Sequence, residues 1–338
     1  MARELSFATF NLYNLQLPGV PMYQGNTYTQ EEYDRKLSWT AIMLQVLDAD
    51  VIGFQELWSP QCLVDAFSAA ALSDQYELFH QDNGGTGISV AAAVRRPLIG
   101  SNQQWIKKFP DDLILKKRQP GSTLEPDYTV SVTIDAFSRP VLKMLVTPQH
   151  GPDFELFVAH LKSKMPMLLD RDEAAIEAVR KNSSAIGTAL STIRRTAEAA
   201  ALRVLLNHSM RDTDTPVVVM GDINDSQLSV TTCIITEQPP YRLYLASQAG
   251  RTSDRGLYTV ATLQEYRSMR DVYYTHIHEG GRESLDHILV SEQFYDHSNK
   301  RQWSFKEMRV INDHLDDTLK HTSDHGVVKA TFIYKPAG

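Results

Sequence analysis

Polar residues stand at the ends of the chain's short apolar runs, in positions a core does not need. Asn11 closes the run at 5–10, Gln55 and Glu56 the run at 51–54, and His160 the run at 154–159. Asp222 and Asn224 follow 217–220 across Gly221, Asp286 opens 285–290, and Asp324 with His325 precedes 326–334. Polar groups gathered at strand ends form a cleft, because strands fix positions while loops leave room for a substrate. Amides, carboxylates and histidines in one cleft point to phosphoester chemistry with a hard cation. Such a reaction needs a nucleophile in line with the leaving oxygen, a cation on the phosphoryl oxygens, and a group that stabilises the departing alkoxide. Glu56 and Asp324 offer the carboxylate oxygens that Mg²⁺ or Mn²⁺ prefers. Asn11 stands beside them, to bind the ion or to orient Glu56.

The elements that must position these groups follow from patterning. Apolar, β-branched runs at 5–10, 51–54, 87–94, 128–134, 154–159, 217–220, 285–290 and 326–334 read as strands. Helical stretches are expected at 33–47, 59–73 and through the Ala-rich 170–210 region, with a break near Gly187. As extended residues two apart, Asp222 and Asn224 present their side chains on one side, within reach of one phosphate. The competing arrangement is an Asx-turn that caps only its own backbone. His160, Lys162 and Lys164 alternate and form a phosphate-binding row if their strand persists that far. His276 and His278, two apart before Gly280-Gly281, read as a half-exposed strand leading into a hairpin turn. Two stretches are long and irregular, 12–30 with Tyr13, Tyr23 and Tyr28, and 227–256 with Pro239, Pro240 and Tyr241. Loops of that length usually carry recognition.

The pieces Thr-Phe-Asn-Leu at 9–12, Val-Ile-Gly-Phe-Gln-Glu at 51–56 and His-Leu-Lys-Ser-Lys at 160–164 run in a familiar order. Gly-Asp-Ile-Asn-Asp at 221–225, Leu-Asp-His-Ile-Leu-Val-Ser at 285–291 and Ser-Asp-His at 323–325 complete it. Together they resemble the endonuclease/exonuclease/phosphatase superfamily across nearly the whole chain. The resemblance implies an α/β (α+β) fold, a four-layer α/β/β/α sandwich of two mixed β-sheets flanked by helices. It implies a single domain over 1–338, with a helical insertion at about 165–210 and the irregular loop at about 227–256 bordering the cleft. It also divides the labour. Glu56, Asp324 and Asn11 hold Mg²⁺ (or Mn²⁺), and Asp222 orients or deprotonates the attacking water. Asn224, His160 and Arg139 bind the phosphate, and His325 and His160 are catalytic, with Asp286 rather than His287 as the carboxylate partner of His325. The last motif continues Gly-Val-Val where many relatives have an acidic residue and proline, which spares both reactive groups.

Composition narrows the partners. The 338 residues are 42% apolar and 22% charged, and 34 basic against 41 acidic residues leave 34 − 41 = −7. That balance disfavours a general electrostatic grip on nucleic acid or an anionic membrane, although the segment 107–118 is locally basic. Cys62 and Cys233 lack metal-ligand spacing and read as two buried thiols. No apolar secretory region or bilayer-length run is seen, so a soluble, cytoplasmic protein is expected. The leading expectation is a metal-dependent DNA nuclease. The alternatives are hydrolysis of a small or lipid-linked phosphoester, and a catalytically silent interaction protein.

Overall fold

The computed structural model describes residues 4–84, 87–121, 128–238, 256–265, 273–278, 281–316 and 321–337. Its strands are β1 (Glu4–Leu15), β2 (Val51–Leu57), β3 (Tyr76–Phe79), β4 (Ser89–Arg95), β5 (Ile99–Lys108), β6 (Lys116–Gln119), β7 (Tyr128–Ser131) and β8 (Ala136–Thr147). They continue as β9 (Phe154–His160), β10 (Val217–Asp222), β11 (Tyr258–Thr259), β12 (His276–His278), β13 (Gly281–Glu283), β14 (Asp286–Val290), β15 (Trp303–Ile311) and β16 (Val327–Tyr334). The helices are α1 (Gln30–Leu47), α2 (Pro60–Ala69), α3 (Arg171–Ala175), α4 (Glu177–Lys181), α5 (Ser183–Met210), α6 (Val230–Thr236) and α7 (Val260–Glu265).

Two six-stranded sheets, ordered β15-β16-β1-β2-β4-β3 and β11-β14-β10-β9-β8-β5, stack face to face. Each is mixed, with one parallel pair at its centre, β1 with β2 and β9 with β10. Strand alternation sorts the core into layers. Phe7, Val51, Leu156, Val158, Val218 and Met220 meet between the sheets. Phe10, Ile52 and Phe54 turn outward to α1 and α2, and Phe157, Val219 and Leu289 turn outward to α5. The four-layer sandwich is therefore the observed architecture. Strand β5 was not expected, because its sequence IGSNQQWIKK is largely solvent-facing and lacks an apolar run.

Helix α1 starts at a reciprocal capping box, where Thr29 Oγ1 accepts from Glu32 N and the Glu32 side chain accepts from Thr29 N. The 170–210 region breaks at Ile176 and Asn182 rather than at Gly187. Gly187 lies inside α5 for a packing reason, since a Cβ there would stand 2.4 Å from Met167 O. The segment expected as an insertion on the cleft rim sends α5 against the outer face of the second sheet, where Ala197, Ala201, Leu202 and Leu206 are buried. Of the two thiols, Cys62 is buried and Cys233, on α6, is exposed. Much of the second irregular stretch, with Pro239, Pro240 and Tyr241, lies outside the described residues, as does Gly280. No described helix is long and apolar enough to cross a membrane.

Candidate active site

The first wall of the cleft is a shared irregularity in β1 and β2. Their register holds from Phe7↔Val51 to Asn11↔Gln55 and then shifts. Tyr13, Asn14 and Glu56 adopt left-handed backbone, with φ of 48°, 55° and 61°. Non-glycine residues pay about 1–3 kcal/mol each for such conformations, and hydrogen bonds hold these three in place. Tyr13 N donates to Asn11 Oδ1 at 2.9 Å, and Asn14 N donates to Glu56 Oε2 at 2.9 Å. Gln55 is spent inside, accepting from Thr9 Oγ1 at 3.1 Å.

The second wall is one row across three strands. In the register, Asp222 of β10 is the partner of both His160 of β9 and Asp286 of β14, so all three side chains share a face. Gly221 makes this approach possible, because its φ is 147° and a Cβ would fall 1.9 Å from Ala159 O. The two walls meet at Asn11, whose Nδ2 lies 3.2 Å from Asp222 Oδ2 and 3.4 Å from Glu56 Oε1. Ser323 ties in the last motif, donating to Asn11 O at 2.8 Å and accepting from His325 N at 3.0 Å. His325 Nδ1 then lies 2.8 Å from Asp286 Oδ2, and its Nε2 lies 3.8 Å from Asp222 Oδ2.

Burial sets the proton affinities of this row. Burial alone would lower the His325 imidazole, but Asp286 and then Asp222 lift it well above its ordinary range, favouring the cation. Burial pushes the Asp222 carboxyl up to about 7 against the pull of His325, with Asp286 and Glu56 adding to the rise. His160 moves the opposite way, held neutral by burial and by the charges of Arg139 and His325. Burial, then the charge of Asp324, raises Glu56.

Glu56 and Asp324 form no ion pair with any described residue. The charge of Asp324 reaches Glu56, and these two carboxylates, with the Asn11 amide beside Glu56, are a donor set that suits Mg²⁺ or Mn²⁺. Asp222, Asp286 and His325 also gather within 4.8 Å, as do His276, Asp324 and His325. The first of these triads is joined internally by the 2.8 Å contact between His325 Nδ1 and Asp286 Oδ2.

Several expected contributions differ in detail. β10 ends at Asp222 and Asn224 takes left-handed backbone (φ 55°), so the pair is not extended. Asn224 N donates to Asp222 Oδ1 at 2.8 Å, the Asx-turn, and Asn224 Nδ2 donates to Leu161 O at 3.1 Å. That leaves one amide hydrogen for a ligand. β9 ends at His160, so the lysine row does not form. Lys162 Nζ folds onto Ser163 and Met165, and Lys164 Nζ meets Glu283 at 2.8 Å. Arg139, on β8, donates from Nη1 to Leu161 O at 3.0 Å, and its charge reaches His160 and Glu56. His287 is buried, its Nε2 2.8 Å from Asp225 O.

Three further groups near the cleft have no place in it in the sequence reading, which puts His276 on a half-exposed strand. His276 is half-buried on β12, with its ring centroid 5.1 Å from that of His325. Lys36 is fully buried on α1, where the charges of Asp324 and Glu56 partly offset the burial that lowers it to about 8. Glu198, fully buried on α5, accepts from Ser138 N and Lys162 N, both at 2.7 Å, and so clamps the ends of β8 and β9. Helical periodicity carried a signal for two of them. Lys36 falls in the stripe Tyr33, Lys36, Thr40, Leu44, and Glu198 in the stripe Arg195, Glu198, Leu202, Leu206, both buried faces.

Solved structures share this architecture at low identity. A humanized D. rerio TDP2 aligns at TM-score 0.56 and 16% identity, over 98% of this chain and 99% of that one. The human Nocturnin catalytic domain aligns at 0.54 and 12%, over 99% and 96%. A Bacteroides thetaiotaomicron mannosyl-6-phosphatase aligns at 0.53 and 16%, over 98% and 100%. At such identities the likeness speaks for the fold alone, and no curated protein sequence is significantly similar to the chain. Sequence supplies the rest: the profile of the Endonuclease/Exonuclease/phosphatase family matches residues 8–325, a span that runs from β1 to His325 and takes in every group of the cleft. The chain belongs to that family of phosphoester hydrolases.

Proposed function

We propose that the protein is a divalent-cation-dependent phosphodiesterase that cleaves nucleic acid, with DNA the first substrate to test, by in-line attack of water. The observation that carries the reading is the Asn11 amide bridging Glu56 of one wall to Asp222 of the other. In this reading Asn11 stands between the residue that would hold the cation and the residue that would accept the proton. Glu56 and Asp324 would hold Mg²⁺ or Mn²⁺, which when bound neutralises charge on the phosphoryl oxygens. Asp222 takes the proton of the attacking water, its carboxyl raised by burial into the range where a base is effective near neutral pH. His325, kept cationic by Asp286, stabilises charge developing on the phosphoryl group. Neutral His160, Asn224 and Arg139 position the non-bridging oxygens.

A second reading, a small phosphoester, is favoured by the engagement of Lys162 and Lys164 within the protein, which withdraws both side chains from a polyanionic substrate. Supercoiled plasmid and a panel of small phosphomonoesters and diesters separate the two, each assayed with Mg²⁺, Mn²⁺ or EDTA and with Glu56→Ala. Metal-dependent nicking that the variant loses is the expected result. Hydrolysis of small esters with intact plasmid establishes the second reading, and turnover unaffected by EDTA refutes both.

A further inference from the structure

Beside the carboxylate pair, the stretch between β1 and α1 walls off a cavity of about 520 Å³, lined by Tyr13, Asn14, Tyr23, Asn26, Tyr28 and Arg35 among others. That volume suits a small-ligand site. The cavity shares a wall with the reacting groups, because the backbone amides of Tyr13 and Asn14 are the donors that hold Asn11 and Glu56.

Its aromatic lining is already fixed in place. Buried Lys36 sets its Nζ 5.3 Å from the Tyr13 ring centroid and 5.9 Å from that of Tyr28, within cation–π range. The Tyr23 ring packs edge-on against Trp58 with centroids 4.8 Å apart, and Trp58 Nε1 donates to Asn14 Oδ1 at 2.9 Å. Backbone bonds close the loop on itself, Gly19 N to Tyr28 O at 2.8 Å and Met22 N to Asn26 O at 2.7 Å. Tyr23 nevertheless remains 50% exposed, a large ring left in solvent at the cavity. The side chains of Asn26 and Thr27 make no hydrogen bond among the described residues, so polar edges stand free beside the rings.

We propose that this cavity receives the nucleobase of a nucleotide whose phosphate lies in the adjoining cleft, on the groups that position the non-bridging oxygens. The inference deepens the phosphodiesterase reading and rests on it for the position of the phosphate. A planar heteroaromatic ring with donors and acceptors on its edge matches the lining on both counts. It stacks on tyrosine whatever its sequence, and its edge satisfies Asn26 and Thr27. A sugar phosphate offers hydroxyls and a C–H face but no π-system, and so stacks on tyrosine more weakly.

The test is calorimetric titration in EDTA, where no turnover occurs, with adenosine 5′-monophosphate, ribose 5-phosphate and mannose 6-phosphate as ligands. The nucleotide should bind about tenfold more tightly than either sugar phosphate, the order expected of one stacked base. Tyr23→Phe should keep that preference, and Tyr23→Ala, shown to be folded by its melting curve, should lose most of it. Asn26→Ala should weaken the nucleotide selectively, and serves if Tyr23→Ala does not fold. Equal binding of the three ligands overturns the proposal, as does a preference that survives both alanine variants. Tight, base-dependent binding by a protein that hydrolyses no phosphoester in Mg²⁺ sustains the pocket and refutes the phosphodiesterase reading instead.

Discussion

Glu56 sits in a conflict that a bound cation would relieve. It is largely out of water, its Oε2 is fixed by Asn14 N at 2.9 Å, and the Asp324 charge disfavours its ionised form. Removing that charge should therefore help the metal-free fold while ending catalysis. Glu56→Gln in EDTA is expected to melt roughly 1–2 °C above the wild type, the shift that about 1 kcal/mol produces in a chain of 338 residues. Mg²⁺ should raise the melting temperature of the wild type and leave that of the variant where it was. Equal response to Mg²⁺ in both proteins would take Glu56 out of the ion site. His325 behaves differently, because its charge compensates Asp286 and Asp222. His325→Ala should lower kcat by about 10²–10⁴-fold, and it should also lower the melting temperature, since two buried acids lose their cation. An unaltered kcat in a folded variant would exclude His325 from the reaction.

At the scale of elements, the site depends on how closely β9 and β10 approach. Asp222, His160 and Asp286 share a row only because Gly221 lets the backbone pass Ala159 O. Gly221→Ala combines a backbone that L side chains rarely adopt with a contact of 1.9 Å to backbone that cannot swing aside. A loss of more than about 4 kcal/mol is expected, in the exceptional range for a point change. Urea denaturation checks it, and a loss below about 1 kcal/mol would show that the strands can separate without cost. Helix α5 has a comparable structural duty through Glu198, which satisfies the amides of Ser138 and Lys162 and so fixes the strand ends that carry Arg139 and His160.

Over the whole molecule, buried histidines make stability depend on pH. Burial holds His287 below its ordinary range, and its Nε2 lies 2.8 Å from Asp225 O. In the unfolded chain the same ring protonates near 6.5. As pH falls below that value the unfolded state binds a proton the fold does not, so stability falls until the depressed folded value is reached. His160 acts in the same direction, whereas His325, raised in the fold, contributes stability that is fully present below 6.5 and is lost as pH rises through its folded value. The comparison that isolates one ring is His287→Gln against wild type, unfolded in urea at pH 7.5 and at pH 5.5. The fall in stability between the two should be smaller in the variant by about 1 kcal/mol. An identical fall would mean that His287 does not titrate in this window.

The sequence by itself determined the central strands, the flanking helices and which polar residues end them, because apolar periodicity and strand-end polarity are local properties. Strands with solvent-facing, polar sequences such as β5 have no such local mark, and their pairing partners alone make them strands. The tertiary structure decided what the pieces do together. Asn11, Glu56 and Asp222 meet only because two sheets stack, and Asn224 curls into a turn because Leu161 and Asp222 offer it partners there. Lys36 and Glu198 read as ordinary charged helix residues until the packing of α1 and α5 buries them. The aromatic cavity is likewise a product of packing, since Tyr13, Tyr23 and Tyr28 are merely loop tyrosines until Lys36 and Trp58 arrange their rings around one space.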